Sequence, residues 1–144
     1  MIEPDTIKLL RECDAGVKMG ISSIHDVLGY IHADDLRHCL SSCMTEHEGL
    51  EKEIESLLDS CHDKGKEPNP MAKGMSWVKT NAKLAMDNSD AAVADLMTNG
   101  CNMGVKSLNK YLNQYKAADE RSKDIAKRLI HLEEKLTVDI RPFL

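Results

Sequence analysis

Aromatic residues make up 3% of this 144-residue sequence, prolines number four, and no CxxC pair, basic tract or long apolar run occurs. Each scarcity excludes something. The apolar stretches fall far short of the ~20 residues needed to span a bilayer. The net charge of −5 is mild and its signs are mixed, so nucleic acid is not an expected partner. The opening Met1-Ile2-Glu3-Pro4-Asp5 lacks the basic and apolar regions of a signal peptide, which makes the cytoplasm the expected location. In that reducing compartment the five scattered cysteines (Cys13, Cys39, Cys43, Cys61 and Cys101) read as small buried apolar residues, not disulfides. β-Branched and aromatic residues are too sparse, and period-2 alternation too broken, for a sheet.

What remains is helical. Hydrophobic residues at 42% against 30% charged give a normal globular balance, enough for a single domain over 1–144 with its own core. A stripe in steps of three and four runs Ile7, Leu10, Asp14, Val17, Ile21, Ile24, Leu28 and Ile31, behind a Pro4 start signal. It predicts a helix over about 5–31, with Asp34 placed to cap the next. Leu36, Leu40, Cys43, His47, Leu50, Ile54, Leu57 and Cys61 predict a second helix over about 34–64, ended by the Gly65 to Pro70 loop. Met71, Met75, Val78, Ala82, Ala85 and Met86 predict a short helix over 71–86, broken by Asp87-Asn88-Ser89-Asp90. Val93, Met97, Cys101, Gly104, Leu108, Leu112 and Tyr115 place a helix at about 90–116. Ser122, Ile125, Leu129, Leu132, Leu136 and Ile140 place the last at about 119–141, capped by Asp119 and closed by Pro142. The alternative joins 71–98 into one helix and turns at Asn99-Gly100.

A weak internal repeat bears on topology. Gly16-Val17-Lys18 recurs as Gly104-Val105-Lys106, and the Tyr30, Ala33, Asp34, Asp35 pattern recurs as Tyr115, Ala118, Asp119, Glu120. The spacing between the two elements differs by three residues. The repeat places one helix–turn–helix unit at each end of the chain, with the short helix between them. A helix of about 27 residues is roughly 40 Å long, so a connection of about 25 residues can run the length of such a bundle.

The order helix, tight turn, helix, Gly-Pro loop, short Trp-containing helix and second hairpin resembles small bacterial ferritin-like four-helix-bundle families of unassigned function. The matching stretches are Leu10 to Gly16, Leu57 to Pro70, Met71 to Leu84 and Asp95 to Tyr111. The resemblance implies an all-α, ferritin-like four-helix bundle of two hairpins joined by a crossover. It also implies a mid-bundle metal site of iron, manganese or zinc, built from Glu on two helices and Glu-x-x-His on the others. The sequence departs from that pattern. It contains no Glu-x-x-His, and Lys18 and Lys106, which cannot donate a lone pair, lie near the centres of the first and third long helices. The residues available for an atypical site are Glu46 and His47, the reversed pair His131 and Glu134, and Asp14 on the core stripe.

The remaining constellations read as structural. Cys43 and His47 are four apart and could bind zinc or copper, but a structural zinc site takes four ligands. Asp35 with His38, and Asp59 with His62, read as solvated helix pairs, and the eight methionines as gap-filling core rather than copper ligands. No phosphate loop, nucleophile elbow or Ser-His-Asp order is present. The expected function is therefore non-enzymatic, an interaction or scaffold protein with a degenerate metal site and no cofactor. A metal-binding or redox-stress protein is the alternative. Trp77 and Leu84 share a face of the crossover helix and make a homo-oligomer the expected assembly. His47 should be buried, and His47→Leu should cost less than ~1.5 kcal/mol provided that no polar partner is stranded.

Overall fold

A computed structural model describes residues 2–63 and 89–144. The short helix expected at 71–86, and with it Trp77 and Leu84, lies outside the described residues. Among those described, the chain is all-α: α1 (Pro4–Val27), α2 (Asp34–Ser60), α3 (Asp90–Gln114) and α4 (Glu120–Asp139). Three-residue 3-10 turns follow α1 at Leu28–Tyr30 and α4 at Arg141–Phe143. None of these helices is long and apolar enough to cross a membrane.

Local chemistry sets the ends. Pro4 opens α1 because its fixed φ and missing N–H suit a first turn. Ser89 caps α3, its side chain accepting the Ala92 N–H. Asp119 caps α4, accepting the Ser122 N–H at 2.8 Å and its hydroxyl at 2.6 Å. Since Ser89 is extended, a helix running unbroken through 71–98 is ruled out at that residue, and Asn99-Gly100 is mid-helix.

Two ends differ from expectation. Asp34 is already helical and pairs with Arg37 at 2.9 Å, while Ala33 occupies the cap position with no side-chain bond. α2 stops at Ser60, four residues early, in a helix-ending turn normally built around glycine. The His62 N–H bonds to the Asp59 carbonyl, the Asp63 N–H to the Leu58 carbonyl, and His62 sits at a left-handed φ of 57°. Asp59 and His62 therefore do not share a helix face.

Five polar contacts at the ends fix the topology. The Asp90 carboxylate accepts the backbone N–H groups of His32 and Ala33 at 2.8 and 2.9 Å, so α3 starts beside the α1–α2 turn. At the opposite end, Asp5 accepts the Ala117 N–H at 3.1 Å and the Thr6 hydroxyl accepts the Asp119 N–H at 2.9 Å. Arg11 pairs with Asp63 at 3.7 Å, which holds the end of α2 near the start of α1. The helices thus run up, down, down and up. The chain leaves the bundle at the end where α1 begins and re-enters at the end where α1 finishes. α1 pairs with α2 and α3 with α4 as antiparallel hairpins, and α1 and α4 also meet across one diagonal.

The two hairpins are near equivalents. Adding 84 to Leu9, Leu10, Cys13, Val17 and Ile24 gives Val93, Ala94, Met97, Cys101 and Leu108. Adding 86 to Leu36, Leu40, Cys43, His47, Leu50 and Ile54 gives Ser122, Ala126, Leu129, Glu133, Leu136 and Ile140. Every one of these residues is buried. The sequence repeat therefore aligns differently in space: Gly104 corresponds to Gly20, one turn beyond Gly16. That register brings the distance to the turn tyrosines nearly level, 10 residues from Gly20 to Tyr30 and 11 from Gly104 to Tyr115. The end contacts are reciprocal as well, each hairpin's turn being held by the first helical turn of the other.

Candidate functional site

Two apolar clusters fill the bundle, one toward each end. Ile24, Leu36, Leu40, Val93, Met97 and Ile140 belong to one, and Leu9, Val17, Ile54, Leu58, Leu108 and Ile125 to the other. Between them lies a polar layer to which each helix contributes one position: Gly20 from α1, His47 from α2, Gly104 from α3 and Glu133 from α4. His47 is 1% exposed and Glu133 5%, which makes their pairing obligatory, since a buried charge without a partner is costly.

The geometry fixes one proton, and the electrostatics place the other. Nδ1 of His47 lies 2.8 Å from the Cys43 carbonyl oxygen, which can only accept, so Nδ1 carries a hydrogen. Nε2 lies 3.1 Å from Glu133 Oε1, and the two form an imidazolium–carboxylate pair. Burial alone would lower the histidine's pKa. The hydrogen bonds to Cys43 and Glu133, with the negative charge beside the ring, outweigh it and raise the value to about 10. The Cys43 thiol is 3.5 Å from Nδ1. The Cys101 thiol stays protonated, its pKa pushed up by burial, by the charge of Glu133 and by its hydrogen bond to that carboxylate. Glu133 is thus the centre of the layer, bonded to the His47 ring and close enough to raise the Cys101 thiol.

Of the two glycines, Gly20 is there for space. A Cβ on Gly20 would lie 2.9 Å from His47 Cδ2 and 3.0 Å from Nε2. On Gly104 it would meet the Glu133 carboxyl carbon at an ordinary 3.6 Å. Imidazole and carboxylate therefore fill the centre, α1 offers no ligand at that level, and α3 offers only the protonated Cys101 thiol. Those residues do not fit a di-metal centre, which draws ligands from all four helices. Among the described residues no three His, Cys, Asp or Glu side chains converge as a metal-holding group.

Of the residues singled out from sequence, His47 alone is in the layer. Asp14 is buried, but it bonds to Lys18 Nζ at 2.8 Å, one turn along α1. It is six residues from Gly20, the α1 position that faces His47, or roughly 9 Å along the axis. Glu46, His131 and Glu134 are exposed. Glu46 adjoins His47 and Glu134 adjoins Glu133, so a helical step of about 100° turns each of them away when its neighbour faces in. The five residues do not come together as one site.

The sequence reading missed Glu133 as the partner of His47, Gly20 as the residue against its ring, and Cys101 beside Glu133. The signal for Glu133 was present: it stands four residues after Leu129 and three before Leu136, on the stripe itself. Choosing the apolar Leu132 at that step concealed it, and Leu132 is only half-buried. No protein-family model, curated protein or solved structure matches the chain. The fold and site define an all-α bundle of two equivalent hairpins closed around one buried ion pair.

Proposed function

We propose that this chain is a non-enzymatic interaction or scaffold protein, that its bundle is ferritin-like, and that the mid-bundle position used by that class for metal carries a degenerate remnant. The observation behind this reading is the mutual satisfaction of His47 and Glu133. A group bonded to its partner on one ring nitrogen and to a carbonyl on the other has no lone pair left for an ion or a substrate. The up-down-down-up order of the helices supports the ferritin-like assignment. All five cysteines are free, in keeping with a cytoplasmic location. The chain assembles as a homo-oligomer, through the Trp77 and Leu84 face.

One preparation of untagged protein tests the proposal. Elemental analysis is expected to find iron, manganese and zinc far below one equivalent per chain. Near-stoichiometric metal would contradict the scaffold reading and favour metal binding at an atypical site. Sedimentation of the same material should give an oligomer that Trp77→Ala weakens, and a wild-type monomer at micromolar concentration would refute the assembly.

A further inference from the structure

The near-equivalence of the hairpins creates a problem of choice. Their inner faces carry buried residues at matching positions, and the same kind of contact locks each hairpin's turn to the other's first helix. A face that fits its near-copy also comes close to fitting itself. The first hairpin could therefore pack on the first hairpin of a second chain almost as well as on its own partner. The apolar positions do little to prevent this, because leucine, isoleucine, valine and methionine exchange at modest cost.

One matched pair does discriminate. His47 and Glu133 are equivalent under the 86-residue shift, they face one another, and they differ in charge. Packing first hairpin on first hairpin would set His47 against the His47 of a second copy. Packing second on second would set two Glu133 carboxylates together. Only the first-on-second arrangement joins imidazole to carboxylate. We infer that the His47–Glu133 pair determines hairpin pairing, so that two chains with complementary layers will exchange hairpins with each other into a single dimer. The occupant of each hairpin face is then the matching hairpin of a second copy of this chain. Wrong pairing leaves like groups buried in contact, and specificity comes from that penalty rather than from added attraction.

Two full-length variants test the inference. His47→Glu places carboxylates at both positions of one chain, and Glu133→His places imidazoles at both positions of the other. Each is expected to have a lower thermal midpoint than the wild type. Refolded together, the first hairpin of the His47→Glu chain meets the second hairpin of the Glu133→His chain, and the reverse pair forms in the same particle. The mixture should regain helical signal and show a thermal midpoint above that of either variant alone. The gain should peak at a 1:1 ratio, and native mass spectrometry should find one chain of each kind. Rescue can be read even where neither variant folds by itself. The reversed chain carrying His47→Glu and Glu133→His together should refold alone with the wild-type helical signal, and mixing it with either single variant should give no rescue. A mixture that melts as the sum of its two components would overturn the inference, as would a reversed chain that does not fold.

Discussion

Replacing His47 with leucine is expected to destabilise the fold by about 3–5 kcal/mol, measured by denaturant unfolding, because it leaves the Glu133 carboxylate buried without its counter-charge. The sequence alone suggests a much smaller cost, under ~1.5 kcal/mol, on condition that no polar partner is stranded. The structure supplies that partner, 3.1 Å away and 5% exposed, so the condition fails. Adding Glu133→Leu to His47→Leu should recover most of the loss, since apolar groups of similar volume often replace a buried pair at little cost. A single-variant cost near that of an ordinary core swap would show that Glu133 finds water or another donor instead.

The same pair carries a pH dependence. His47 is held protonated in the fold, with a pKa of about 10 against an ordinary value of 6.5. In the window between those values the unfolded chain has lost the proton and the folded chain keeps it. Stability from this group is therefore complete below the lower value and declines as pH rises towards the upper one. Cys13, whose thiol burial pushes up to about 12, adds its own loss above the ordinary thiol value of 9.0. Between the histidine's ordinary value of 6.5 and the thiol value of 9.0, the difference between wild type and the double leucine variant isolates the histidine, because the shifts of Cys13 and Cys101 act only above that window.

Gly20→Ala should destabilise by about 1–2 kcal/mol, against the usual gain of roughly 1 kcal/mol when alanine replaces glycine inside a helix. The new methyl would come within 2.9 Å of an imidazole bonded at both nitrogens, to the Cys43 carbonyl and to Glu133. The ring cannot turn away without breaking one of those bonds. Gly49→Ala is the control, for nothing lies within 4 Å of its added carbon and it should show the ordinary gain. Gly104→Ala should be tolerated as well, its nearest neighbour being at 3.6 Å. A stabilised Gly20→Ala protein would mean that His47 does not stand where the fold places it.

The helices were legible because leucines and isoleucines recur every three or four residues and because Ser89 and Asp119 are strong caps. The hairpin pairing was legible from the two tyrosine-to-acid turns. Helix ends were less so: nothing in Leu57 to Asp63 announces a turn built on His62, since that position usually calls for glycine. The site was half legible. A histidine on an apolar stripe predicts burial and a partner, and Cys43 and His47 at a spacing of four do approach each other. The partner came from 86 residues away, and the His-x-x-Glu spacing put the emphasis on Glu134 and His131 instead. Gly20 carried no sequence signal of its own, because its role depends on the width of a ring on another helix.

The claim on which the rest depends is that His47 is a sealed imidazolium paired with Glu133. Nitrogen-15 chemical shifts of its ring test this directly in the intact protein. Both ring nitrogens should report bound hydrogen at neutral pH, with no titration on passing the ordinary histidine value of 6.5, and with Glu133→Gln collapsing that behaviour. A neutral ring at pH 7, or a histidine that titrates at its ordinary value, would contradict it.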